Sequence, residues 1–133
     1  VAPNKGKFLK TYEVIIASEA SSLTFNKYQD ETAKTAVYPK NRSGDLSAIS
    51  YCALGLAGEA GEVANKVKKL FRDGDSPEKR QAIKKEVGDC LWYVARLLDE
   101  LGKFPMGEAA QQNIDNLKGR AERGTLHGEG DNR

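Results

Sequence analysis

From residue 45 onward, apolar side chains return every three or four positions. Ile49, Cys52, Ala53, Leu56, Ala60, Val63, Val67 and Leu70 form one stripe, which predicts an amphipathic helix of about seven turns beginning after Asp45, a residue suited to the cap position. The stretch Arg72–Ser76 breaks it with Asp73-Gly74-Asp75. Ser76-Pro77 then reads as a cap followed by a first-turn proline, a strong helix start. Ile83, Val87, Cys90, Leu91, Val94, Leu97, Leu98 and Leu101 carry the stripe to Gly102, the expected left-handed stop. A shorter helix precedes these two. It starts after Thr24, presents Phe25, Tyr28, Ala33 and Ala36 on its apolar side, and ends near Val37, because Pro39 turns Tyr38 away from helical geometry. A last helix spans roughly Gly107–Arg123, between the Phe104-Pro105 break and Gly124. No repeat and no strand pattern is visible.

The two long helices share a short turn, so they should lie antiparallel. The expected fold is all-α: an antiparallel helical bundle built around a long two-helix hairpin. Each stripe is wider than one neighbour can cover, and a homo-oligomer, dimer or tetramer, would bury the remainder. Residues 23–124 form the expected helical domain. Residues 1–22, with Pro3, Gly6 and a Ser-rich end, read as an extension with some helix between Phe8 and Ala20, and the Gly-rich residues 125–133 as a polar tail.

Composition narrows the function. The chain has 133 residues, 39% apolar and 30% charged, which suits one small domain. A net charge of +2 gives no case for nucleic acid. The positive charge is local: Lys66 to Lys85 holds eight Lys or Arg against Asp73, Asp75 and Glu78. Cys52 and Cys90 sit among apolar residues and read as two buried thiols. The one histidine, His127, excludes His-rich zinc sites and the Glu-x-x-His motifs of di-iron bundles, and reads as an exposed tail residue. There is no membrane-length apolar run, and Val14–Ala17 is too short for a signal peptide, so a cytoplasmic place is expected.

The candidate chemistry lies in Glu59-x-x-Glu62 and Glu86-x-x-Asp89. The i, i+3 spacing puts each pair on one helix face. The turn falls roughly midway between the pairs, so in an antiparallel hairpin they sit at similar height. Four like charges together require an opposing charge, and Mg²⁺, with Mn²⁺ as a substitute, is the simplest hard cation for oxygen ligands. Gly55, Gly58 and Gly61 each cost roughly 1 kcal/mol in a helix interior, so a close approach by a helix or a ligand is expected there and at Gly88. Lys66 and Lys69 continue the Glu62 face toward possible phosphates. Tyr93, one turn after Asp89, could line a base pocket, whereas Trp92 reads as core.

The run Leu54-Gly55-Leu56-Ala57-Gly58-Glu59-Ala60-Gly61-Glu62-Val63, followed by Glu86-Val87-Gly88-Asp89-Cys90-Leu91-Trp92-Tyr93, resembles the MazG-like nucleotide pyrophosphohydrolases of the all-α NTP pyrophosphohydrolase superfamily. The resemblance runs from about Leu23 to Arg133 and is nearest to the small single-domain members, many of them viral, for which the cytoplasm would be the host's. It implies cleavage of a nucleoside triphosphate (NTP or dNTP) between the α and β phosphates, with Glu59, Glu62, Glu86 and Asp89 as metal ligands and catalytic groups and with nucleotide-pool control as the role. It also implies substrate contacts from Asn113 and Arg120. Where many relatives have a Lys four residues before that Arg, this chain has Asn116, and Lys118 is the nearest replacement, on another side of the helix. Other readings are a pyrophosphohydrolase acting on an alarmone or phosphoribosyl-ATP, and a non-catalytic nucleotide-binding helical oligomer.

Overall fold

The computed structural model describes residues 23–130; the helix expected between Phe8 and Ala20 lies outside them. The described residues form four helices and no strand: α1 Phe25–Ala33, α2 Leu46–Asp73, α3 Pro77–Gly102 and α4 Met106–Glu122. The all-α class and the long hairpin are therefore as expected. Lys66 meets Glu86 and Gly55 meets Tyr93, the reversed order of an antiparallel pair. The turn is Gly74-Asp75-Ser76, with Gly74 at a φ of 91°. Ser76 Oγ accepts a hydrogen bond from Lys79 N at 3.2 Å, and Pro77 occupies the first turn, as the sequence predicts.

Two caps differ from expectation. Asp45 stands at the cap position of α2, but its side chain makes no capping bond; its carboxylate is 3.2 Å from Lys40 Nζ instead. The left-handed residue that ends α3 is Lys103, at a φ of 55°, one position beyond Gly102. Lys103 N donates to Asp99 O and Phe104 N to Leu98 O, which satisfies the last carbonyls of the helix.

α1 ends at Ala33, short of Val37. Thr32 and Thr35 donate their hydroxyls to the carbonyls of Gln29 and Thr32, at 2.7 and 3.1 Å. Over the same stretch the N–H groups of Lys34, Thr35 and Ala36 bond three residues back rather than four. The helix tightens and stops as side chains compete for its acceptors. Its buried face matches the expected one only in part: Ala36 is buried and Tyr28 and Ala33 are half-buried, but Phe25 is 49% exposed, and Gln29, Thr32 and, beyond the helix, Tyr38 are buried as well.

Polar bonds attach α1 to α3 and to the segment that leads into α4. Gln29 Nε2 donates to Phe104 O at 2.9 Å and to Ala95 O at 3.3 Å, and Gln29 Oε1 accepts from Met106 N at 2.9 Å. The buried Arg96 guanidinium donates to Thr32 Oγ1, Gln29 O and Asp99 Oδ2. One turn on, the buried Glu100 carboxylate accepts from Tyr38 OH at 2.5 Å, Arg42 N at 2.6 Å and Gly44 N at 3.0 Å. Left-handed backbone at Lys40, Arg42 and Gly44 turns the loop around that carboxylate, as in anion-binding nests. A buried carboxylate without such donors would be costly.

The apolar core is small: Ala36, Tyr38, Ala48 and Cys52, with Trp92, Tyr93 and Leu97 packed against it. Cys52 is buried as expected; Cys90 is only half-buried, and both are free thiols. Much of the predicted stripe is open in one chain. Val67, Val87, Leu91 and Leu101 are exposed, and Leu54 and Phe71, outside the stripe, more so.

Candidate functional site

Glu59, Glu62 and Lys66 follow one another on one face of α2, and Glu86, Asp89 and Tyr93 on one face of α3. The hairpin brings these faces together at mid-length. Glu59, Glu86 and Asp89, all half-buried, each offer an oxygen within 4.8 Å of the others. Glu62 stands outside this trio and is exposed. Burial pushes the Glu59 carboxyl above its usual range; the charges of Asp89 and Glu86, a hydrogen bond to Glu86 and the charge of Glu62 add to the rise.

Two lysines partly offset the negative charge. Lys66 Nζ reaches Glu86 Oε1 at 3.4 Å across the hairpin, and Lys85 Nζ lies 3.6 Å from Asp89 Oδ2 on α3 itself. Lys69 is exposed. The trio suits a divalent ion: two neighbouring rigid helices bring three carboxylate oxygens within 4.8 Å of one another, and hard divalent cations take oxygen ligands. Their all-oxygen donor set matches a hard cation rather than a thiophilic one.

An aromatic group borders the acidic one. The Tyr93 ring lies so close to the α2 backbone that a Cβ on Gly55 would run into it, which accounts for one helical glycine. Tyr93 also faces Trp92 at 5.0 Å and Tyr51 at 6.5 Å between ring centroids, and Tyr51 stacks on Tyr38 at 5.2 Å. Trp92 is half-buried against the core and donates its Nε1–H to Thr35 Oγ1. Burial, then Tyr51 and Glu59, raise the Tyr93 hydroxyl above its usual range; burial, then Asp89, do the same for Tyr28 of α1. Tyr28, Tyr51 and Lys85 therefore border the site, although the sequence pattern singled out none of them for it. Helical spacing could have suggested Tyr51, four residues before Gly55, and Lys85, four before Asp89; Tyr28, on α1, carries no such signal.

At Gly58, Gly61 and Gly88 a Cβ would meet nothing within 4 Å, so no part of the described chain accounts for these three. Asn113 and Lys118 are exposed on α4 and Arg120 is half-buried there. α4 packs against α1, and among the described residues no hydrogen bond or ion pair links these three side chains to the acidic trio. His127 is exposed beyond α4. No helix among the described residues is long and apolar enough to cross a membrane.

Residues 49–125 match the model of the MazG nucleotide pyrophosphohydrolase domain, a span that includes most of α2, all of α3 and all four acidic residues. The chain is 43% identical over 110 residues to the Gene 37 protein of Mycobacterium phage L5, covering 80% of this chain and 96% of the phage protein. No solved structure matches. With the acidic pairs of its hairpin inside the matched span, the chain belongs to the MazG nucleotide pyrophosphohydrolase family.

Proposed function

We propose that this chain hydrolyses nucleoside triphosphates, NTP or dNTP, to the monophosphate and pyrophosphate, with Mg²⁺ or, in its place, Mn²⁺. The observation that carries this reading is the convergence of Glu59, Glu86 and Asp89 from two rigid helices. These three would hold the ion, with Glu62 joining directly or through water. When bound, the ion supplies positive charge to the phosphate oxygens and to the attacking water.

The chain's own residues set the rest. Tyr93, with Tyr51 beside it, offers an aromatic wall for the base on the Gly55 side of the trio. Lys66 lies on the other side, toward the hairpin turn, where the phosphate tail would extend. A carboxylate of the set takes the proton of the attacking water, and the bond between the α phosphorus and the bridging oxygen breaks to release pyrophosphate. Asn113, Lys118 and Arg120 would approach the phosphates from α4 of a second copy, in a dimer or tetramer that covers the open apolar stripe. The empty space at Gly58, Gly61 and Gly88 is consistent with close approach by a second copy or by substrate. Nucleotide-pool control in the cytoplasm, a host's if the gene is viral, fits such an activity.

The test is a panel of NTPs and dNTPs with Mg²⁺, assayed for pyrophosphate, using the wild type, Glu59→Gln and Asp89→Asn. Release should vanish in both variants while helical content persists. Release that survives in both would remove these residues from the chemistry.

A further inference from the structure

Lys66 makes a contact that substrate binding does not explain. Its ammonium faces Glu86 Oε1 at 3.4 Å, with side-chain exposures of 34% for Lys66 and 12% for Glu86. Among the described residues no other ion pair joins α2 to α3; the rest lie within one helix, in the turn or in the loops. The pair is also loose. Charge-assisted hydrogen bonds run at about 2.8 Å, and the Lys66–Glu86 contact falls outside that range. The lysine stem is flexible and its three donors can turn to a new acceptor.

The oxygen that Lys66 faces belongs to a residue of the acidic trio. An ammonium and a divalent cation at one carboxylate repel each other, so occupancy by one weakens the other. Lys66 lies on the same α2 face as Glu59 and Glu62, on the side away from Tyr51 and Tyr93. We propose that Lys66 is a displaceable counter-ion: it holds Glu86 in the metal-free chain, yields when a divalent cation loads, and then turns to the diphosphate end of the nucleotide. This rests on the hydrolase reading above and makes Lys66 a positioning residue that links metal loading to recognition of the leaving group.

The experiment measures Mn²⁺ binding without nucleotide, by electron paramagnetic resonance, for the wild type, Lys66→Met and Lys66→Arg, with circular dichroism to verify the fold. The Met variant should bind Mn²⁺ about fivefold more tightly than wild type, the scale of one partly exposed ion pair, and the Arg variant about as wild type. Inorganic pyrophosphate added to the Mn²⁺-loaded protein should bind about tenfold more weakly to the Met variant, a loss typical of one charged contact, and the Arg variant should recover most of it. A purely structural cross-link would lower stability without raising Mn²⁺ affinity. Equal or weaker Mn²⁺ binding by the Met variant overturns the counter-ion role, and unchanged pyrophosphate binding overturns the second role. A wild type that binds no Mn²⁺ overturns the metal reading of the whole site, a different failure from either of these.

Discussion

Glu59 shows the conflict between stability and chemistry. Burial and the charges of Asp89 and Glu86 raise its carboxyl above the usual range. A raised carboxyl favours the protonated acid in the folded chain. Stability from this group is therefore full below its unfolded value, about 4.3, and is lost as pH rises through the folded value. In chelator, Glu59→Gln should then melt no lower than wild type at neutral pH, while pyrophosphate release falls more than about a hundredfold, since even outer-sphere partners of a metal cost tenfold to a hundredfold. Melts between about pH 4 and pH 8 check this, and a variant that melts well below wild type near neutrality contradicts it. The glycines give a paired test. Gly55→Ala drives a methyl into the Tyr93 ring and should cost about 1–3 kcal/mol by overpacking. Gly58→Ala meets open space and should stabilise the isolated fold by up to about 1 kcal/mol in denaturant titrations.

Glu100 anchors the loop between α1 and α2. Burial alone would raise its carboxyl; the donors Tyr38, Arg42 N and Gly44 N, with the charge of Arg96, hold it below the usual range instead. A depressed carboxyl stabilises the fold above its unfolded value, and that stability is lost as pH falls through the folded value. Glu100→Ala should cost about 3 kcal/mol by leaving buried donors unpaired, and should flatten the acid limb of the stability profile. The same network shows where sequence reading stops. The long helices were legible because their apolar residues keep the helical period and because Ser76-Pro77 marks a start by local chemistry. The packing of α1 was not: Gln29, Thr32, Arg96 and Glu100 are polar, and each is buried against a partner more than fifty residues away. Asp45 likewise matches a cap by type, but a nearby lysine engages its carboxylate. At the site, i, i+3 spacing on two facing helices was enough to anticipate that Glu59, Glu86 and Asp89 would meet. The same spacing could not show that Glu62 stands apart, because small differences in helix rotation decide which oxygens converge.

At the scale of the whole molecule, one chain leaves an apolar groove of about 320 Å³ between the hairpin, α1 and α4, lined by Phe25, Leu56, Leu98, Leu101 and Met106 among others. Apolar side chains left exposed, among them Val67, Phe71, Val87, Leu91 and Leu101, favour association, because each Å² of apolar surface buried contributes roughly 25 cal/mol. Sedimentation at micromolar concentration should give a dimer or tetramer, and Leu101→Glu should shift it toward monomer with helicity retained. A monomeric wild type would contradict the proposed assembly and the approach of α4 from a second copy. The central claim is that three carboxylates converge to support hydrolysis between the α and β phosphates. Phosphorus NMR of the common deoxynucleoside triphosphates turning over with Mg²⁺ tests it most directly. The expected spectrum shows monophosphate and pyrophosphate rising together, with neither signal growing when chelator is present. Diphosphate with orthophosphate as first products, or turnover indifferent to chelator, would contradict the account.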